Sequence, residues 1–231
     1  MCGRFSLRAS PDDLVEHFSL VERPPWEPRY NVAPEQPVLT VRKGRRGRRA
    51  GLMRWGLIPP GMRTPDPGRR LINARRETVA RRPAFREAFA HSRCLVPADG
   101  FYEWRADGRL RRPFFFTVGD DTIFAFAGIW TRWTTPEGHR IGTVSILTTD
   151  ANPLVRPIHD RMPVILDPGG YATWLDPAAD RPTLLDLTDP FPPDRMSSRE
   201  VSRAVNRADH EGPDCLAPPD PPVERDLFDP A

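Results

Sequence analysis

The chain has 231 residues, is 39% hydrophobic and 28% charged, and carries a net charge of only +3. That is enough apolar material for one core, and no run of about 18 apolar residues is present to span a membrane. The N-terminus lacks the apolar segment of a secretory signal. Cys2, Cys94 and Cys215 are odd in number and have no metal-type spacing, so free thiols, a reducing cytoplasm, no metal and no cofactor are expected.

In chain order, Ser10-Pro11-Asp12-Asp13 reads as a helix start, with Ser as cap, Pro in the first turn and acids beside it. That helix continues through Leu14, Val15 and Phe18. Val38–Arg42 and Leu52–Leu57 read as strands joined by a basic turn into a hairpin. Residues 59–70 form a Pro-, Gly- and Arg-rich loop, and residues 77–90 have helical spacing, with Val79, Phe85 and Phe89 apolar. The middle is β-rich: residues 94–96, 101–104, 114–118, 123–130 and 144–148 are short strands, with hairpin turns at Asp120-Asp121 and Pro136-Glu137-Gly138. A strand at 163–166, a short helix from Asp167-Pro168 through Trp174 and a last strand at 201–205 follow. The expected class is α+β, a mainly antiparallel β-sheet core with peripheral helices. Residues 1–215 are expected to form one folded domain, and 216–231 an acidic, proline-rich, disordered tail.

Charge is segregated along the chain. Residues 1–112 hold 24 Lys/Arg against 12 Asp/Glu, and residues 113–231 hold 10 against 19. A basic half points to a polyanionic partner, nucleic acid above all, unless folding pairs the two halves.

Cys2 is the most informative residue. With Met1 removed it carries an α-amine and a thiol on adjacent carbons. The amine condenses with an aldehyde to an imine, and the thiol closes a five-membered ring on the same carbon. Reference pKa values of about 7.7–8.0 and 8.5 leave both groups partly nucleophilic at neutral pH. Lys43 is the only lysine and lies in a charged turn, so a buried catalytic lysine is not on offer. Three further segments embed polar groups among apolar ones: Leu71-Ile72-Asn73-Ala74-Arg75, Val96–Trp104 and Ile158–Pro163. Strand alternation places Phe101 and Glu103 on one face, and Tyr102 and Trp104 on the other. A carboxylate among aromatics has a raised pKa and suits acid–base work, although a cross-strand ion pair is the commoner role. His159 could shuttle protons or simply pack. Asn73 could orient an amine or an aldehyde oxygen, and Arg4, Arg75 and Arg161 could grip phosphates.

Together these segments resemble the SRAP family of SOS-response-associated peptidases, or abasic-site processing proteins. The matching stretches are Met1–Phe5, Tyr30–Pro34, Trp55–Pro59, Ile72–Thr78, Cys94–Trp104, His159–Pro163 and Val201–Val205, in the family's order over residues 1–210. The resemblance implies recognition of abasic sites in single-stranded DNA and a thiazolidine crosslink through Cys2. It implies that Asn73 and Glu103 orient the amine and move protons, and that His159 acts as general acid/base. Arg4, Arg75 and Arg161 match phosphate-contacting positions, and Pro34 borders the strand. Lyase activity through β-elimination and self-processing at Met1 are natural by-products. One departure stands out: where the family has a tryptophan shortly after Pro59, this chain reads Pro60-Gly61-Met62-Arg63. Two other readings remain open, a cysteine peptidase with an N-terminal nucleophile and a non-catalytic single-strand-binding module that stacks bases on Trp55 or Trp104.

Overall fold

The computed structural model describes residues 2–62, 71–108, 110–120 and 122–219. Thirteen strands run in chain order: β1 Arg4–Leu7, β2 Arg29–Val32, β3 Pro37–Gly44, β4 Gly47–Trp55, β5 Asn73–Arg75, β6 Arg93–Ala98, β7 Gly100–Asp107, β8 Leu110–Val118, β9 Phe124–Thr134, β10 Arg140–Asp150, β11 Arg161–Pro163, β12 Ile165–Leu166 and β13 Met196–Glu200. Five short helices flank them: α1 Pro11–Phe18, α2 Arg76–Val79, α3 Arg86–His91, α4 Tyr171–Leu175 and α5 Arg181–Asp186. The expected α+β class with a mainly antiparallel core is what the chain adopts.

Two sheets form. The first has the order β13-β8-β7-β1-β2 and is antiparallel throughout. The second runs β11-β10-β4-β3-β6-β9-β12, with β5 added on β10. Pairing of β9 with β10 closes five of its strands into a ring, which leaves those strands no open edge. Among the described strands, only β10 with β4 and β10 with β5 pair in parallel. None of the described helices is long and apolar enough to cross a membrane.

Phe5 fastens the two sheets together. It leaves β1 of the first sheet and meets Trp55 of β4 edge-on at 5.3 Å and Phe126 of β9 at 5.7 Å. Aromatic pairs of this geometry add about 0.5–1.5 kcal/mol each beyond the area they bury. Behind them Phe101 stacks on Phe116 at 5.0 Å. The predicted alternation in β7 therefore holds: Phe101 faces this core, while Tyr102 faces a second cluster with Phe115, Val201, Val205 and Cys215. At the β6–β7 crossover, Asp99 accepts from Ser6 Oγ at 2.5 Å, from Arg8 Nε at 3.1 Å and from the Arg8 amide. Gly100 follows because a Cβ there would lie 2.0 Å from the Phe115 ring.

Several local expectations are met. Ser10 caps α1 with a reciprocal capping box to Asp13. The β3–β4 hairpin closes at Gly44 opposite Gly47, and Gly47 needs its φ of 129° there. Pro136-Glu137-Gly138 turns β9 into β10. Others need correction. The helix expected over 77–90 is two short helices, because Pro83 has no amide hydrogen and its ring crowds the carbonyl four residues earlier. Asp120 lies in a turn between β8 and β9, but these strands belong to different sheets, so it makes no hairpin. The last strand is Met196–Glu200, not 201–205. Ser202 instead caps a 3-10 turn at Arg203–Asn206. The chain remains packed as far as Cys215, which is buried. The rest of the expected tail from 220 onward, and residues 63–70 of the expected loop, lie outside the described residues.

Candidate active site

The N-terminus is held where the two sheets meet. β1 pairs with β7 so that Arg4 lies opposite Tyr102 and Phe5 opposite Phe101. Continuing that register brings Gly3 opposite Glu103. From the second sheet, β5 lies parallel to β10, with Asn73 beside Ile146. β11 pairs with the far end of β10, Arg161 opposite Asp150, and carries His159 just before it.

Cys2 is fully buried. Asn73 Nδ2 donates to its carbonyl at 2.8 Å, which fixes the peptide that follows it. Burial pushes the Cys2 thiol well above its usual range, the Glu103 carboxylate pushes it further, and the positive amino terminus and the Arg4 carbonyl oppose them. A thiol in this setting is protonated at neutral pH, so its attack needs a nearby base.

Glu103 supplies a carboxyl with the required range. It is buried, and its pKa is raised to about 7, chiefly by desolvation, with the amino terminus opposing and Asp160 adding to the rise. Near neutrality it exists in both protonation states. His159 is held below its usual pKa by burial first and by the amino terminus second. Its Nδ1 accepts the Arg161 amide at 2.9 Å, which leaves the proton of the neutral ring on Nε2. Asp160 Oδ1 stands 2.9 Å from the same Nδ1. One nitrogen cannot accept and donate at once, so this carboxylate serves the imidazolium form. Asn73 Oδ1 is buried with no hydrogen-bond partner among the described residues. A buried unpaired acceptor costs about 1–3 kcal/mol, and its position beside Cys2 suits an incoming donor.

Above these groups lies a cleft of about 790 Å³. Arg4, Pro34, Glu103, Trp104, Arg111 and His159 are among its lining residues. Of the residues picked out in the sequence, the structure thus brings together Cys2, Asn73, Glu103, His159, Arg4, Pro34 and Trp104. Arg4 Nη1 is committed to Asn31 Oδ1 and the Val205 carbonyl, both at 2.8 Å, and its guanidinium lies 5.7 Å from the Trp104 ring. Arg75 is exposed at the end of β5 and makes no side-chain bond among the described residues. Two of the expected residues, Trp55 and Arg161, are not among those that line the cleft. Trp55 is fully buried against Phe5 and donates Nε1 to the Ile72 carbonyl at 2.9 Å, so it has no face to offer a base. Arg161 is 8% exposed and spends its guanidinium on both Glu77 oxygens, Asp150 Oδ1 and the Thr148 carbonyl. It fixes the loop that carries His159. Arg111, Arg203 and Asn206 also line the cleft and were not singled out from sequence. Among 33 arginines no local signal separates them. Met62, in the stretch that follows Pro59, accepts Trp133 Nε1 at its carbonyl and is half-buried.

The family model for SOS response associated peptidase (SRAP) matches residues 1–208. The chain belongs to the SRAP family. It is 41% identical over 221 residues to the abasic site processing protein YoqW of Bacillus subtilis, covering 94% of this chain and 99% of that protein. Against YedK of Escherichia coli, also named an abasic site processing protein, it is 30% identical, covering 94% of this chain and all of the relative. Rat HMCES, of the same description, is 31% identical, with 98% of this chain and 78% of the relative covered. A solved structure from Bacteroides thetaiotaomicron superposes with a TM-score of 0.86 at 26% identity, over 94% of this chain and 99% of that one.

Proposed function

We propose that this SRAP protein processes abasic sites in single-stranded DNA by forming a covalent thiazolidine link through Cys2 once Met1 is removed. The observation that supports the reading is that Asn73 holds the Cys2 carbonyl and Glu103 acts on the Cys2 thiol, beside an arginine-lined cleft that Gly3, Glu103 and His159 line. The names of the relatives support the substrate class.

The chemistry assigns each group a task. An abasic site is an aldehyde in equilibrium with a closed sugar. His159, neutral with its proton on Nε2, assists opening of that sugar. The Cys2 amine adds its lone pair to the aldehyde carbon, and Asn73 Oδ1 orients it by accepting one of its hydrogens. Protonated Glu103 gives a proton to the leaving hydroxyl, water departs and an iminium, which keeps its N–H, remains. The Glu103 carboxylate then takes the thiol proton and sulfur bonds to the iminium carbon, whose C=N electron pair passes to nitrogen, which closes the neutral ring. An imine that escapes the thiol acidifies the neighbouring carbon and allows β-elimination, so slow strand cleavage accompanies the link. Arg75 on the rim of β5 and Arg4, Arg111 and Arg203 in the cleft hold the phosphates, and Trp104 offers a face to a base.

The test is an oligonucleotide carrying an abasic site, incubated with the protein and run on a denaturing gel. A retained protein–DNA band supports the reading. Peptide turnover without the band would favour a cysteine peptidase, and salt-reversible binding alone would favour a non-catalytic strand-binding module.

A further inference from the structure

A second basic pocket lies at the opposite end of the β3–β4 hairpin. Arg42, Lys43, Arg49, His91, Arg93 and Trp130 line a space of about 320 Å³. The cleft above Cys2 is bordered by Pro34, just before β3 begins at Pro37. Seven residue steps at about 3.3 Å carry Gly44 about 23 Å beyond that border. The two sites are separate places on one strand pair.

The arginines of this pocket do different things. Arg93 is buried and spent on the carbonyls of Phe89, Ala90, Trp174 and Asp176. Arg49 pairs with Glu22 at 2.7 Å and Lys43 with Asp176 at 3.3 Å, and both pairs are exposed. Such pairs hold weakly and exchange readily. Arg42 is unlike them. Its guanidinium lies 4.9 Å from the Trp130 ring centroid, and it makes no hydrogen bond or ion pair among the described residues. Its Nε is buried with no hydrogen-bond partner. A structural arginine with its Nε buried normally ends on a carboxylate or a carbonyl, as the more deeply buried Arg93 and Arg161 do. Arg42 is instead held by the indole, with the donors at its tip uncommitted. A planar fork fixed beside Lys43, Arg49 and exposed His91, with Glu22 and Asp176 as the paired acids, suits a compact anion with more than one acceptor oxygen.

We propose that this pocket binds a phosphoryl group, supplied either by a nucleic-acid strand that extends past the cleft or by a free phosphorylated small molecule. The proposal does not depend on the chemistry at Cys2, and its test uses DNA without abasic sites, so the two readings stand or fall separately.

Pyrophosphate is titrated into the full chain by calorimetry. Binding of undamaged single strands is measured against salt, with one strand too short to leave the cleft and one long enough to reach the hairpin end. The variants are Arg42→Gln, the exposed pair Lys43→Gln with Arg49→Gln, and the turn pair Arg45→Gln with Arg46→Gln as an equal change of charge outside the pocket. The exposed pair keeps the test valid if Arg42→Gln disturbs packing on Trp130. Pyrophosphate binding that is lost in the pocket variants and kept in the turn pair assigns the site to small phosphorylated ligands. For a strand, each lost contact should lower the log–log salt slope by about 0.7 with the long strand only, again sparing the turn pair. The proposal is overturned if pyrophosphate does not bind and the pocket variants leave the long-strand slope unchanged. It is equally overturned if the turn pair lowers that slope as much as the pocket pair does.

Discussion

Glu103→Gln should make the protein more stable and less active, and the structure fixes both signs. Glu103 is 3% exposed and its pKa is raised from 4.5 to about 7, with desolvation the largest cause. At about 1.36 kcal/mol per pH unit, that displacement corresponds to about 3 kcal/mol. Below pH 4.5 the carboxyl is protonated in both folded and unfolded chains and costs nothing through this route. Between 4.5 and 7 the unfolded chain releases the proton while the native chain keeps it, so native stability falls as pH rises. Above 7 the full cost is present. Glutamine has the same shape and no such cost. The variant should therefore match the wild type near pH 4 and exceed it by up to about 3 kcal/mol at pH 8, or about 6–12 °C in melting temperature for a chain of this size. Crosslinking at pH 7 should slow by roughly 10²–10⁴-fold, since the proton carrier is gone. Urea unfolding at several pH values and gel-quantified crosslinking on the same preparations check both. A variant that is no more stable than wild type at pH 8 and crosslinks at the wild-type rate would refute the assignment of Glu103 as a desolvated acid–base group.

Other outcomes follow from the same geometry. Cys2→Ala should abolish the denaturation-resistant adduct and retain some imine-dependent cleavage, and mass spectrometry should find Met1 absent from active protein. A wild-type level of adduct in Cys2→Ala would sink the thiazolidine chemistry. Arg161→Ala should lower stability by about 1–3 kcal/mol through loss of charged hydrogen bonds, with no change in the salt slope of strand binding. A flattened slope in a fully folded variant would show that Arg161 meets phosphate after all. Trp55→Ala should cost about 3–5 kcal/mol of stability as a core deletion. Trp104→Ala should instead weaken strand binding by about 1–3 kcal/mol while melting little earlier. Interchanged results for the two tryptophans would reverse their assignment to core and cleft.

How far the fold was legible depended on where local signals carry the structure. The α1 cap, the β3–β4 hairpin and the turn at Pro136-Glu137-Gly138 were readable because residue types there act on their own backbone. The 77–90 helix misled because its apolar spacing was sound while Pro83 broke its hydrogen bonding. β13 was missed because its sequence, Met-Ser-Ser-Arg-Glu, is an exposed polar edge whose only strand signal is a partner in β8. The assignment of β8 and β9 to different sheets was also invisible. A short turn looks the same whether it folds a hairpin or passes the chain between layers.

The candidate site divides along the same line. Cys2 and Glu103 were legible because position and alternation identify them: one follows Met1, and the other shares a strand face with Phe101. Arg161 and Trp55 show why residue type alone was not enough, and Arg4, which lines the cleft, is partly committed inside the fold. All three sit in segments matching the family, yet Arg4 is anchored to Asn31 and Val205, Arg161 is enclosed by Glu77 and Asp150, and Trp55 lies beneath Phe5. Their partners come from 27 to 201 residues away in sequence for Arg4 and 84 residues away for the Arg161–Glu77 pair. No local pattern reports contacts of that separation. The consequence is physical as well as methodological. Arg161 donates its amide to His159 while its guanidinium ties β11 to Glu77 in α2, two residues beyond Arg75. Asn73 stands at the start of that same short strand and holds the Cys2 carbonyl. One ion-pair cluster thus orients the proposed acid–base histidine and braces the strand that grips the nucleophile. A family pattern at these positions marks support for the reacting groups as much as contact with DNA.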